Sequence, residues 1–99
     1  MGRKTINIKK IENKIPREYA FVQRKRGLIK KAIELAILCD KEVFFVIHDA
    51  KEKKLCHYSS HENFNASKVN QIAQEANYNI EKYCDADLEV LSNPQLTQK

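Results

Sequence analysis

Residues 16–39 carry one unbroken helical pattern whose two halves differ chemically. Leu28, Ala32, Leu35 and Cys39 recur at spacings of four, three and four, and Ile29, Ile33 and Ala36 form a neighbouring stripe. Arg17, Arg24 and Lys31 are each seven residues apart and share one face, with Gln23 and Lys30 running beside them. The first half of this helix is polar and basic and the second half apolar. Pro16 is tolerated only in a first helical turn, and Asn13 just before it is a plausible cap. Gly27 falls mid-helix, where glycine costs roughly 1 kcal/mol against alanine. A close approach of the backbone to a ligand or to a second helix accounts for that cost, and simple tolerance is the plainer alternative.

The remaining pattern adds strands and short helices. Residues 43–47 are rich in β-branched and aromatic side chains, residues 49–54 are polar and turn-like, and residues 55–58 return as a second strand. Together they predict an antiparallel hairpin. The first strand does not alternate, so both of its faces should be covered. The long helix covers one face, and 99 residues leave little for the other. A second copy packed across a two-fold axis solves the problem, so dimerisation follows from burial. Leu28, Ala32, Leu35, Val43 and Phe45 are the expected core, partly against that second copy. Beyond Ser59, a helix capped by Ser60 or Asn63 should carry Val69, Ile72, Ala73 and Ala76. A break follows at 77–79, then a short helix at 85–91. Residues 1–12 read as an extended basic arm held by Ile6, Ile8 and Ile11.

Charge is unevenly divided. Residues 1–31 hold eleven Lys and Arg against two acids, a balance of +9, whereas residues 32–99 stand at −4. A basic third joined to an acidic remainder suits a chain whose front end meets a polyanion. Nucleic acid fits best, because each neutralised phosphate releases condensed counterions. The basic half of the helix, with nothing of its own to pack on, then lies along phosphates. A merely solvated basic face is the plain alternative, and an anionic membrane surface lacks the aromatic-rich opposite face it would need.

Other chemistries find little support. No run approaches the roughly 18 apolar residues of a membrane span, so no membrane role is expected. Cys39, Cys56 and Cys84 are odd in number and widely spaced, which points to reduced thiols, with Cys39 expected in the apolar core. His57 and His61 have zinc-like spacing, but no C-x2-C pair accompanies them, so no metal site is expected. There is no phosphate-cradling glycine loop and no supported nucleophile with its base; neither catalytic residues nor a cofactor are expected.

The stretch 24–40 reads R-K-x-G-L-x-K-K-A-x-E-L-x-x-L-C-D and is followed by an acidic residue and an apolar strand. With the opening Met-Gly-Arg-Lys, it closely resembles the MADS box of transcription factors, over residues 1–60 without gaps. Residues 1–4 and 85–91 resemble the myocyte enhancer factor type; residues 11–14 look closer to the serum response factor type.

The resemblance implies an α+β fold: a MADS-box dimer with long antiparallel coiled-coil helices under an antiparallel β-sheet and an added C-terminal helical layer. It divides the chain into a DNA-binding and dimerisation domain at 1–60, a helical extension at 61–93 and a loose tail at 94–99. It implies a nuclear homodimer on double-stranded A/T-rich DNA, with co-regulator proteins as further partners. Gly2 and Arg3 match the family's minor-groove arm, and Lys4 would hold phosphate or groove edge. Arg24, Lys30 and Lys31 match helix positions that contact phosphates or base edges, and Lys25 and Arg17 lie nearby as further phosphate contacts. The chain also departs from the family pattern at Thr5, Ile15, Pro16, Ala20, Val22 and Gln23. Gln23 stands where the family usually has Lys, and its amide could instead read adenine N6 and N7. Those departures leave an alternative: a dimerisation module with weakened or altered DNA binding.

Overall fold

The computed structural model describes residues 8–92. Its elements in chain order are α1 (Lys14–Cys39), β1 (Phe44–Asp49), β2 (Lys54–Ser59), α2 (Ala66–Ala73), a 3-10 turn (Asp85–Asp87) and α3 (Leu88–Leu91). The expected order of helix, hairpin and further helices is the observed α+β order.

Helix α1 begins two residues before Pro16, which therefore sits in the first turn where its missing N–H costs nothing. Asn13 occupies the cap position, but its side chain makes no capping bond; its carbonyl accepts from the Arg17 N–H at 3.1 Å. The helix ends on Asp40 in the left-handed region (φ 56°), a conformation that Asp tolerates better than most residues.

The hairpin is a two-stranded antiparallel sheet with Phe45 opposite Tyr58 and Ile47 opposite Cys56. Asp49 Oδ1 accepts from the Glu52 N–H at 3.2 Å, and Lys53 takes a positive φ of 57°, so side-chain bonding and backbone geometry close the polar turn together. At the open end, Val43 N–H donates to Ser60 Oγ at 2.8 Å and Ser60 N–H donates to the Val43 carbonyl at 2.9 Å. Phe45, Ile47, Cys56 and Tyr58 form one partly buried face. Ile47 and Cys56 meet Phe21 and Lys25 of α1 across a cavity of about 260 Å³. Aromatic pairs brace both faces, Phe45 with Tyr58 at 5.9 Å and Phe44 with His57 at 6.2 Å between ring centroids.

Several expectations need correction. Asn65, not Ser60 or Asn63, caps α2, its Oδ1 accepting from the Lys68 N–H at 3.0 Å. Ser60 is unavailable because its hydroxyl serves the Val43 N–H. Helix α2 stops at Ala73, short of Ala76, and residues 74–84 form a longer irregular segment than the predicted break. The outer face of the hairpin is open in the single chain, with Val46 46% and Leu55 63% exposed. Of the expected core, Ala32 is buried at 7% exposure, Val43 and Phe45 are half-buried, and Leu28 and Leu35 remain about half exposed. Cys39 is exposed rather than in the core. Among the described residues Ala32 alone is buried. So small a core cannot offset the entropy of ordering this many residues.

Candidate nucleic-acid interface

The hairpin fixes which side of α1 is free. Phe21 and Lys25 share a cavity with Ile47 and Cys56 of the sheet, and the buried Ala32 lies in line with them along α1. At 3.6 residues per turn, Gln23, Arg24, Gly27, Lys30 and Lys31 all fall roughly 80–180° around the helix from Ala32. All five are exposed. Gly27 stands in the middle of this group, one turn from Gln23, Arg24, Lys30 and Lys31. A Cβ built on Gly27 would meet nothing within 4 Å. The chain's own packing therefore does not require glycine there. The face so formed is convex and cationic, with low relief at its centre, and suits contact with a large polyanion better than capture of a small ligand.

Not every basic residue grouped by sequence belongs to this face. Lys25 is turned to the hairpin, its ammonium 5.1 Å from the Phe21 ring centroid, and it lines the inner cavity. Spacing places Lys25 beside Arg24, but the Phe21 ring one turn back holds its ammonium on the hairpin side. Lys30 pairs with Glu34 one turn on at 3.1 Å, with side-chain exposures of 76% and 44%. So exposed a pair is weak and yields readily to a phosphate. The i,i+4 spacing made that pair legible in advance.

Arg17 is placed differently again. Its Nη1 donates to the carbonyls of Ile11 and Glu12 at 3.0 and 2.9 Å, tying the segment before α1 to the helix. No sequence pattern signals this contact, since both acceptors are backbone carbonyls. Gly2, Arg3 and Lys4 lie outside the described residues. Among the described residues no cluster of His, Cys, Asp and Glu could hold a metal ion, and no helix is long and apolar enough to cross a membrane.

Comparison with known proteins bears on this geometry. Residues 10–58 match the family described as SRF-type transcription factor (DNA-binding and dimerisation domain). MADS-box transcription factor 5 of Oryza sativa subsp. indica is 37% identical over 87 residues, covering 82% of this chain and 39% of its own length. That alignment necessarily runs past residue 60, although the motif resemblance is strong only before it. MADS-box protein J2 of Solanum lycopersicum is 51% identical over 53 residues, covering 54% of this chain and 21% of its own length. Agamous-like MADS-box protein MADS2 of Vitis vinifera is 47% identical over 62 residues, covering 61% and 25%. The chain thus spans well under half the length of these relatives. They are plant MADS-box proteins, so they support the family and not the myocyte enhancer factor type specifically. The matched segment coincides with α1 and the hairpin, the part of the molecule that builds and backs the cationic face. Through that segment the chain belongs to the SRF-type, or MADS-box, family of transcription factors, whose domain binds DNA and dimerises.

Proposed function

We propose that two copies of this chain bind one A/T-rich DNA duplex in the nucleus and regulate transcription from it. The exposed face of α1 that carries Arg24, Lys30 and Lys31 around Gly27 is the observation that carries this reading. Arg24 and Lys31 neutralise phosphates, and Lys30 joins them by exchanging Glu34 for the DNA backbone. Gly27 lets the helix axis approach the duplex without a side chain in the way. The arm, with Gly2, Arg3 and Lys4, enters the minor groove, where narrow A/T-rich sequence concentrates negative potential. Gln23, at the edge of the same face, reads adenine by its amide. Base preference at the site's edge should change in Gln23→Ala.

The half-exposed Leu28 and Leu35 support dimerisation, since a second α1 laid antiparallel would cover them. Residues 1–60 then form the DNA-binding and dimerisation domain, 61–93 a helical extension that covers the open sheet face and offers a surface to co-regulators, and 94–99 a tail.

Selection of bound duplexes from a random pool at two salt concentrations tests the reading. Enrichment of A/T-rich palindromes is expected, and retention of random duplex alone would overturn it. A second reading, a dimerisation module with weakened DNA binding, draws on Ile15, Ala20, Val22 and Gln23, where the chain departs from its family. Under that reading Arg3→Ala changes nothing; under the first it abolishes selectivity.

A further inference from the structure

Arg17 occupies the junction of three segments: the end of the arm, the first turns of α1 and the hairpin turn. It lines a notch of about 290 Å³ together with Lys10, Lys14, Asp49 and Lys51. One guanidinium nitrogen, Nη1, spans two successive carbonyls, those of Ile11 and Glu12. Those residues immediately precede the helix cap, so the clamp fixes the direction in which the chain leaves α1. Asn13 contributes no side-chain cap to the N–H groups of the first turn, and Arg17 is the side chain that ties the two preceding carbonyls to the helix. The contact is charge-assisted, and Arg suits it because the planar guanidinium fixes the directions of the two N–H groups on Nη1.

We infer that Arg17 is a positioning residue for DNA selectivity. It acts through the arm by setting its exit angle, and its charge does not chiefly serve a phosphate. The inference rests on the DNA-binding reading above. An arm free to swing must be ordered at the moment of binding, and that cost falls on the selective complex, in which the arm is engaged. Random duplex held by helix and phosphates escapes it.

The test uses the full 99-residue chain. Wild type, Arg17→Ala, Arg17→Lys, Arg3→Ala and the double variant Arg3→Ala/Arg17→Ala are titrated against an A/T-rich palindromic duplex and a random duplex, each over a range of salt. Arg17→Ala should lower the ratio of the two affinities about five- to tenfold and leave the salt slope on random duplex unchanged. Arg17→Lys should recover little, because a freely rotating ammonium on a shorter stem lacks the fixed N–H directions of the planar guanidinium. In the Arg3→Ala background, removing Arg17 should have almost no further effect, the non-additivity of two residues that act as one unit. Circular dichroism of Arg17→Lys establishes that the fold is retained. Three results overturn the inference: a slope reduced by about 0.9 per lost contact with selectivity intact, full rescue by Lys, or additive losses in the double variant. Absence of selectivity in the wild type would instead overturn the DNA-binding reading on which the inference stands.

Discussion

The helix–hairpin unit and the segment that follows it are built on different principles. Residues 8–60 carry thirteen Lys and Arg against seven acids, residues 61–92 two against six. In the first region a 26-residue helix backs onto a registered hairpin, and side-chain bonds close both ends of that hairpin. In the second, α2 has eight residues and α3 four, neither contains a buried residue, and Val69, Tyr78, Ile80, Leu88, Val90 and Leu91 are exposed. Isolated helices of that length are marginal in water. Both regions leave apolar surface open, Leu35 and Leu38 in the first as well as Val90 and Leu91 in the second, but only the first joins that surface to a strongly basic face. The family model matches residues 10–58, within the first region.

The sharpest way to break this comparison is Leu35→Asp. A carboxylate on the half-exposed seam of α1 should cost about 3 kcal/mol or more once that seam is covered by a second copy. Dimer and helical signal should be lost together in sedimentation and circular dichroism, because an obligate dimer has no stable lone subunit. A folded, soluble monomer would show that the helix–hairpin unit stands alone. Val46→Asp probes the open sheet face. If the extension covers that face, the midpoint of thermal unfolding should fall by several degrees, equivalent to about 1–2 kcal/mol; an unchanged midpoint would leave the extension elsewhere.

The charge contrast has its own test. Arg24→Ala and Lys31→Ala should each flatten the log–log salt dependence of DNA binding by about 0.9 per contact. Lys68→Ala, in the extension, should leave it unchanged. Gly27→Ala should stabilise free α1 by up to about 1 kcal/mol while weakening DNA binding; stronger binding would remove the case for close approach. The smallest effects separate the two caps. Asn65→Ala should cost α2 about 1 kcal/mol by amide hydrogen exchange. Asn13→Ala should change stability by only a few tenths, since its side chain caps nothing.

Much of the fold was legible because periodicity reports local structure. The stripe through Leu28, Ala32 and Leu35 marked α1, and the polar run between two apolar stretches marked the hairpin. The cap of α2 was not legible, since Ser60, Asn63 and Asn65 are all competent residues. Only the strand pairing commits Ser60 to Val43 and leaves the role to Asn65. The site divides in the same way. Arg24 and Lys31 share the exposed face that their spacing gives them, but Arg17, grouped with them by the same seven-residue spacing, turns to the arm carbonyls, and Lys25, grouped by proximity, turns to Phe21.

What the amino-acid order by itself determined was the type of each element, the basic-to-acidic division and the family motif, because these depend on neighbours a few residues apart. Which side of α1 faces outward was decided only when the hairpin met Phe21 and Lys25. Spacing along a helix sets relative angles between side chains, and a reference direction comes only from what the helix is packed against.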